Sequence, residues 1–321
     1  SEPVMILSLG TTPAAQRVMV FRRLTLDAVN RAVTTLDGAA GKSVNVAKTL
    51  KALGEQPVAV GFLGGDRGAE VRALLAAQNI AADFVNVSAR TRQCTTLLDQ
   101  AAGTITELVE EGQPVSTADY AALLDILRRR ARGARAIVMS GSITPGGPAD
   151  LYFHGTQIAR ANGALAIVDA QGAALAEALK AGPDLVKPNR LELAATLGRE
   201  LPDEAAVIAG MQELCKRGAL RVVVTSGQGP TLAYDGQNGW KIQAPQVKTT
   251  NPIGSGDAFT AGLAWRLVRG ENLGEACRWG AAAGTANALT LMAGEVHRAD
   301  VERLAAQVSV EPLPARSPGF F

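Results

Sequence analysis

The strongest constraint on the fold is a rhythm. Short continuous runs of valine, isoleucine and leucine alternate with longer stretches of helical pattern. The runs predict strands over Met5–Leu9, Pro57–Phe62, Ala136–Ser140, Leu165–Asp169, Leu185–Lys187 and Arg221–Ser226. Between them the pattern predicts helices over Ser43–Leu53, Gly68–Gln78, Ala118–Ala131, Pro148–Asn162, Gly172–Ala181, Leu191–Leu197 and Glu204–Lys216. A strand that is apolar throughout must be covered on both faces, and a helical crossover returns the chain parallel to itself. The expected fold class is therefore α/β, a central mostly parallel sheet with helices on both faces. In such sheets ligands settle beyond the carboxyl ends of the strands.

Two stretches break the rhythm. Within residues 11–36 and 84–112 polar and apolar residues alternate, as in Arg17-Val18-Met19-Val20-Phe21, Thr95-Thr96-Leu97-Leu98-Asp99 and Thr104-Ile105-Thr106-Glu107-Leu108. Alternation means one dry and one wet face, so a small antiparallel sheet is expected outside the main one. Residues 1–311 read as one domain, and the proline-rich 312–321 as a loose tail. At 321 residues, 47% of them hydrophobic, the chain has ample material for a single large core.

Composition removes several classes of function. A net charge of +2 is no footprint for nucleic acid, and Arg128, Arg129, Arg130 and Arg132 form a short cluster suited to a solvated helix end. Aromatics at 4% leave little for base stacking. Cys94, Cys215 and Cys277 are odd in number and far apart, which fits a reducing compartment better than a disulfide framework. The two histidines, His154 and His297, are distant, so a dedicated zinc site is not expected. The N-terminal stretch lacks the pattern of a secretory signal. No run approaches the ~18 apolar residues of a membrane span. The expected location is the cytoplasm.

Four segments carry chemistry. In Asn251-Pro252-Ile253-Gly254-Ser255-Gly256-Asp257, two glycines around a serine open onto the helical Ala258-Phe259-Thr260-Ala261-Gly262-Leu263. Such a junction lets backbone amides converge on one place, where the helix N-terminus adds partial positive charge. Gly254, Ser255 and Gly256 would then line an anion hole. Asp257 at its rim would accept a proton from an attacking hydroxyl, the pairing that phosphoryl transfer to an alcohol requires. The plainer alternative is a tight turn with Asp257 as a helix cap. Upstream, Gly41-Lys42-Ser43 fits the end of a Walker A loop, but the first glycine of that motif would fall on Leu36, so this is no P-loop. It offers backbone donors, the Lys42 ammonium and Asn45 on the same helical face, a set suited to sugar hydroxyls and a phosphate. Third, Asn189 and Glu192 in Lys187-Pro188-Asn189-Arg190-Leu191-Glu192 share a face of a first helical turn. They can hold a hydrated magnesium ion, or form a capping box, or both. Fourth, Thr225-Ser226-Gly227-Gln228-Gly229-Pro230 follows a strand and can approach nucleotide phosphates. Downstream of it, the small-residue helix through Gly280, Gly284 and Asn287 admits either a flat ring or a close helix neighbour.

Together and in this order, these segments resemble the ribokinase-like (PfkB) carbohydrate kinases, over about residues 6–305. Gly41-Lys42 with Asn45-Val46-Ala47 resembles that family's GGKGxNVA. Gly61-Phe62-Leu63-Gly64-Gly65-Asp66 with Gly68 resembles GFxGxDxxG, and Ser140-Gly141-Ser142-Ile143-Thr144-Pro145-Gly146 resembles SGSLPPG. Lys187-Pro188-Asn189 with Glu192 is similar to KPNxxE, and Gly254-Ser255-Gly256-Asp257 to GSGD. Thr91-Arg92 followed by Thr106-Glu107-Leu108, and the Asn251-Pro252 lead into the last motif, resemble the 1-phosphofructokinase and tagatose-6-phosphate kinase group. The resemblance implies a β-sheet lid that often mediates homodimers, ATP and Mg2+ as cofactors, and a sugar phosphate as acceptor. It also implies roles. Asp257 is the base, Lys42 and Arg92 hold the substrate's phosphate, and Gln16, Gly41 and Asn45 bind sugar. Lys187, Asn189, Thr225, Gly227, Gly229 and Asn287 lie along the nucleotide, and Glu192 with Asn189 holds the metal.

The sequence also departs from that pattern. Gln16 stands where the group's NPALD aspartate grips sugar hydroxyls, and Ser43 replaces a glycine of GGKG, where its side chain is expected to crowd the backbone near the sugar. The second glycine of the GxxG loop is displaced or absent, and Asn251 replaces the aspartate of ribokinases. These departures keep two alternatives open: a kinase of an unphosphorylated sugar or nucleoside, and a degenerate sugar-phosphate sensor.

Overall fold

A computed structural model describes residues 2–314. The chain enters the main layer through β1 (Met5–Gly10) and leaves it for β2 (Ala14–Phe21) and β3 (Thr34–Ala40). It returns by α1 (Lys42–Ala52), β4 (Gln56–Leu63), α2 (Gly65–Ala77) and β5 (Ala81–Asn86), then departs again for β6 (Arg92–Asp99) and β7 (Thr104–Val109). A regular alternation follows: α3 (Thr117–Arg130), β8 (Ala136–Ser140), α4 (Leu151–Ala161), β9 (Leu165–Asp169), α5 (Gly172–Lys180), β10 (Leu185–Val186), α6 (Arg190–Leu197), α7 (Glu204–Lys216) and β11 (Val222–Val224). The last part is β12 (Thr231–Tyr234), β13 (Gly239–Gln243), α8 (Ser255–Leu267), α9 (Leu273–Asn287), α10 (Arg298–Ala305) and β14 (Ser309–Pro312).

The main sheet runs β14-β13-β12-β11-β10-β9-β8-β1-β4-β5, parallel from β11 to β5. One face packs Leu7, Leu9, Ile137, Met139 and Val168 against Tyr152, Leu175 and Met211 of the helices between α3 and α7. The opposite face packs Ile6, Val138, Ile167, Leu185 and Val223 against α1, α8 and α9. The expected parallel sheet with two helical layers is the one observed.

Three details differ from the sequence reading, each for a physical reason. β5 belongs to the main sheet, pairing parallel with β4, although it overlaps the stretch assigned to the small sheet. As an edge strand it buries only Phe84, so its pattern looks like that of a half-wet strand. The small sheet, ordered β3-β2-β6-β7, is not wholly antiparallel: β2 and β6 pair in parallel. Its two hairpins arise from separate excursions out of the main layer, and their orientation is set by that layer rather than by a turn. The expected tail begins later than residue 312, since Pro312 pairs with Trp240 and the Leu313 amide donates to the Gly239 carbonyl at 2.8 Å. Residues 315–321 of that tail lie outside the described residues. The antiparallel extension β12–β14 is short and partly exposed, and carries no long apolar run to announce it.

The period of two along each strand decides where the site lies. Beyond Val138, Ile167, Leu185 and Val223 on the α1/α8 face come Ser140, Asp169, Lys187 and Thr225. They form a polar row at the carboxyl edge of the sheet, directly beneath the N-termini of α1 and α8.

Candidate active site

The turn before α8 is built by two asparagines. Asn251 accepts from the Ile253 amide at 3.1 Å and donates from Nδ2 to the Leu291 carbonyl at 2.8 Å. Asn287 donates to the Ile253 carbonyl at 2.9 Å and to Ser255 Oγ at 3.2 Å, and accepts from the Gly294 amide at 2.8 Å. They hold Gly254 at φ 88°, where a Cβ would lie 2.8 Å from Ala293 Cβ, so only glycine fits. The Ser255 and Ala258 amides bond to Pro252 and Gly254. Those of Gly256 and Asp257 have no partner among the described residues. Two free amides at the head of a 13-residue helix make an anion hole. Asn287, read as lying along the nucleotide, has its amide engaged in shaping this loop.

Asp257 is 7% exposed and accepts from Asn45 Nδ2 at 2.8 Å. Burial pushes its carboxyl up to about 6, against the pull of Lys42 and the Asn45 hydrogen bond, with the neighbouring Asp169 adding to the rise. A carboxylate poised there is a competent general base near neutral pH. Asn45 sits in the first turn of α1, set by Gly41 at φ 93°, where a side chain would strike Pro13 Cα at 2.7 Å. Its buried Oδ1 has no hydrogen-bond partner among the described residues. Ser43, expected to crowd the sugar, turns instead into the seam between α1 and β1. Its Oγ lies 2.5 Å from where a Cβ on Gly10 would be, so Gly10 makes the room.

The residue that the sequence reading missed is Asp169. It is 2% exposed, with Lys187 Nζ 3.4 Å from Oδ2, Lys42 Nζ 3.7 Å from Oδ1 and Thr260 Oγ1 3.5 Å away. Burial alone would raise its carboxyl, but the two ammonium groups outweigh burial and hold it below the ordinary carboxylate range. Asp169 in turn holds Lys42 above the usual lysine value. The charge of Lys42 is thus met inside the protein. The only hint in the sequence was an aspartate ending an apolar strand at the carboxyl edge of the sheet.

On the far side of the anion hole lies a cavity of about 460 Å³ lined by Thr225, Gly227, Gly229, Ser255, Gly256 and Gly284. Gly284 has no room for a side chain, since a Cβ would meet the Ser255 carbonyl at 2.9 Å. The small residues of α9 therefore serve both readings, close packing against α8 and a floor for a flat ring. At its rim, Asn189 and Thr225 form an isolated bridge, and Asn189 with Glu192 forms a full capping box: Asn189 Oδ1 accepts from the Glu192 amide and Glu192 Oε2 from the Asn189 amide, both at 2.8 Å. The capping alternative is therefore realised. One carboxylate and one amide beside it still fit a magnesium ion that keeps most of its waters.

On the lid side, Arg92 donates from Nε to the Thr12 carbonyl at 3.0 Å and from Nη1 to the Glu110 carbonyl at 3.4 Å, above a small cleft that also includes Thr11 and Pro13. Gln16 is buried and donates from Nε2 to Thr96 Oγ1 at 2.7 Å. The structure thus gathers Lys42, Asn45, Asp257 and Lys187 around one point, and sets Gln16 and Arg92 on the lid.

The profile of the pfkB family carbohydrate kinases matches residues 6–296. The chain belongs to the pfkB family. It is an ATP-dependent sugar kinase with the ribokinase-like fold. Among solved structures, phosphofructokinase-2 from Escherichia coli in complex with potassium is 28% identical, covering 96% of this chain and 99% of that one, with a TM-score of 0.87. A putative phosphofructokinase from Staphylococcus aureus is 27% identical over 97% and 99%, with a TM-score of 0.78. A possible 1-phosphofructokinase from Thermotoga maritima, 24% identical over 97% and 100% at a TM-score of 0.88, shares the fold.

Proposed function

We propose that this pfkB kinase transfers the γ-phosphoryl group of ATP to a hydroxyl of a hexose or ketohexose phosphate. The observation that carries the chemistry is the Asp257 carboxylate, raised to about 6, beside the two unpartnered amides of Gly256 and Asp257. In this reading Asp257 takes the proton of the attacking hydroxyl while the amides receive the charge that develops on the transferred group. Lys42, held by Asp169, faces the same charge. The base and ribose of ATP lie in the cavity lined by Thr225 and Gly284. Asn189 and Glu192 would hold Mg2+, which would supply neutralisation of phosphate charge. In support, a similar structure, phosphofructokinase-2 from Escherichia coli at 28% identity, is a complex with fructose-6-phosphate.

Because Asp169 already meets the charge of Lys42, the case for a phosphorylated acceptor rests on Arg92. Its fork can grip phosphate oxygens. Arg92→Ala is expected to raise KM for the sugar phosphate by about 10–100-fold, taking a charged hydrogen bond as roughly 1.5–3 kcal/mol, while KM for ATP barely moves. Assaying ADP release over a panel of hexose and ketohexose phosphates, with their unphosphorylated sugars, tests both points. Higher turnover of an unphosphorylated sugar, with Arg92→Ala unchanged, would establish the second reading, which the compensated Lys42 favours.

Glu192→Gln keeps an oxygen for the Asn189 amide, so the capping box survives. The expected result is an unchanged melting temperature with a several-fold higher Mg2+ concentration at half-maximal rate. A loss of thermal stability with no shift in the Mg2+ titration would leave Glu192 as a cap only.

No helix among the described residues is long and apolar enough to cross a membrane, and a cytoplasmic location fits the free thiols. Leu26, Val29, Val33, Leu36, Leu108 and Val109 are exposed on or around the small sheet. They support a homodimer through the lid, which sedimentation would test.

A further inference from the structure

The middle of α1 carries a buried cation that the proposed reaction has not used. Lys48 is 4% exposed, and its Nζ donates to the Ala39 carbonyl at 2.9 Å and to the Ala293 carbonyl at 2.6 Å. No carboxylate pairs with it among the described residues. Burial pulls its ammonium down to about 8, with Glu295 pulling the other way. A lysine desolvated in this manner costs stability that an apolar side chain of the same length would not. What it supplies is a pair of directed bonds, and both partners bear on the site.

Ala39 is the next-to-last residue of β3, the strand by which the lid joins α1. Ala293 belongs to the segment 292–294 between α9 and α10, which backs the anion hole. A Cβ on Gly254 would lie 2.8 Å from Ala293 Cβ and 3.0 Å from the Gly294 nitrogen, and a Cβ on Gly294 would lie 2.7 Å from Asn45 Cα. The segment therefore presses on the anion-hole turn and on the residue that donates to Asp257. Thr49, beside Lys48, grips the same segment, donating from Oγ1 to the Gly294 carbonyl at 2.9 Å. Two consecutive carbonyls are thus held from behind by two consecutive residues of α1, and Lys48 fastens that grip to β3.

We propose that Lys48 is a positioning residue for phosphoryl transfer: anchored on Ala39, it fixes the 292–294 segment, and through it the Gly254 turn and Asn45, in the geometry the reaction needs. The inference rests on the proposed roles of Asp257 and of the Gly256 and Asp257 amides. Lys48 acts only through the backbone behind those groups. Preorganised donors count most for charge that develops in the transition state, so a displaced segment should tell on kcat. The nucleotide cavity and the small cleft below Arg92 are lined by neither Lys48 nor residues 292–294, so ground-state binding should stand.

Two variants provide the test. Lys48→Met keeps the length of the side chain and removes its donors. It is expected to lower kcat by about 10–100-fold, the scale of a displacement near 1 Å in a catalytic site. KM for ATP and for the best sugar substrate should stay within about threefold of wild type. Its melting temperature should stay close to that of wild type, since losing the desolvated charge offsets losing the two bonds. Thr49→Val removes the bond to Gly294 and keeps the shape, and is expected to lower kcat by about three- to tenfold with the same KM values. A fall in kcat with both KM values in place supports the inference. A kcat in Lys48→Met within about threefold of wild type overturns it, and so does a loss expressed mainly in KM. If Lys48→Met fails to fold, Thr49→Val decides: the kcat loss with unchanged KM supports the inference, and a wild-type kcat overturns it. Near-normal turnover in Asp257→Asn overturns the proposed base instead, whereas an inactive Asp257→Asn beside an indifferent Lys48→Met overturns this inference alone.

Discussion

Replacing Asp257 by asparagine is expected to lower kcat by roughly 10²–10⁴ and, at the same time, to make the ligand-free protein more stable at neutral pH. The first effect is the loss of a general base. The second follows from the same burial that makes the base effective. The carboxyl titrates near 6 in the folded protein against an ordinary value of 3.8. Between those values the folded state holds the proton more tightly than the unfolded state does. Stability is therefore fully present below about pH 4 and is lost as pH rises toward 6 and above. The loss is on the order of 1–3 kcal/mol at pH 7.5, at 1.36 kcal/mol for each pH unit between the two values. Asparagine never ionises and keeps an oxygen for Asn45 Nδ2, so it escapes the penalty without losing the contact. Melting curves at pH 4 and pH 7.5 would show the variant gaining only at the higher pH. The wild-type kcat/KM should fall as pH drops through about 6. Near-normal turnover in the variant would remove Asp257 from the chemistry, and a melting temperature no higher than wild type at pH 7.5 would refute the burial account.

What the sequence made legible follows from how local the signal was. The Gly254–Asp257 junction and the Asn189–Glu192 capping box depend on residues within one turn of each other, and spacing alone exposes them. The parallel core was legible because β1, β4, β8 and β9 are apolar on both faces. β12 to β14 were missed because short strands at a partly exposed edge carry no such run. The fate of Ser43 was not legible, because the space that accommodates it is the missing side chain of Gly10, 33 residues earlier and on a different element. The contact of Gln16 with Thr96 was not legible either, since the two lie 80 residues apart. Asp169 was hidden for the same reason, since its two cations come from α1 and from the end of β10, and nothing near it in the chain is charged.

Asp169→Asn is expected to destabilise the protein by about 3–5 kcal/mol, the usual effect of removing one member of a buried ion pair. Lys187 is 4% exposed, and its ammonium lies 3.4 Å from the carboxylate, so it cannot follow its charge into water. An asparagine would aim either a weaker acceptor or a donor at it. Lys42 differs, because its side chain is 44% exposed and can swing toward solvent when Asp169 is neutralised. Activity should therefore fall together with stability, since Lys42 would no longer be held beside Asp257. The pH dependence is opposite to that of Asp257. The folded-state carboxyl of Asp169 is held below its ordinary value, so its contribution is present above the unfolded-state carboxylate pKa and is lost as pH falls through the folded one. The stability gap between wild type and Asp169→Asn should then be full at pH 7.5 and shrink in acid. Adding Lys187→Met removes the stranded ammonium with a side chain of similar length, and is expected to restore most of the lost stability without restoring turnover, because replacing a whole buried pair is far less harmful than breaking it. Urea denaturation of the three proteins at pH 7.5 would decide the matter. An Asp169→Asn variant within about 1 kcal/mol of wild type, or a double variant no more stable than the single, would show that the Lys187 charge finds another partner.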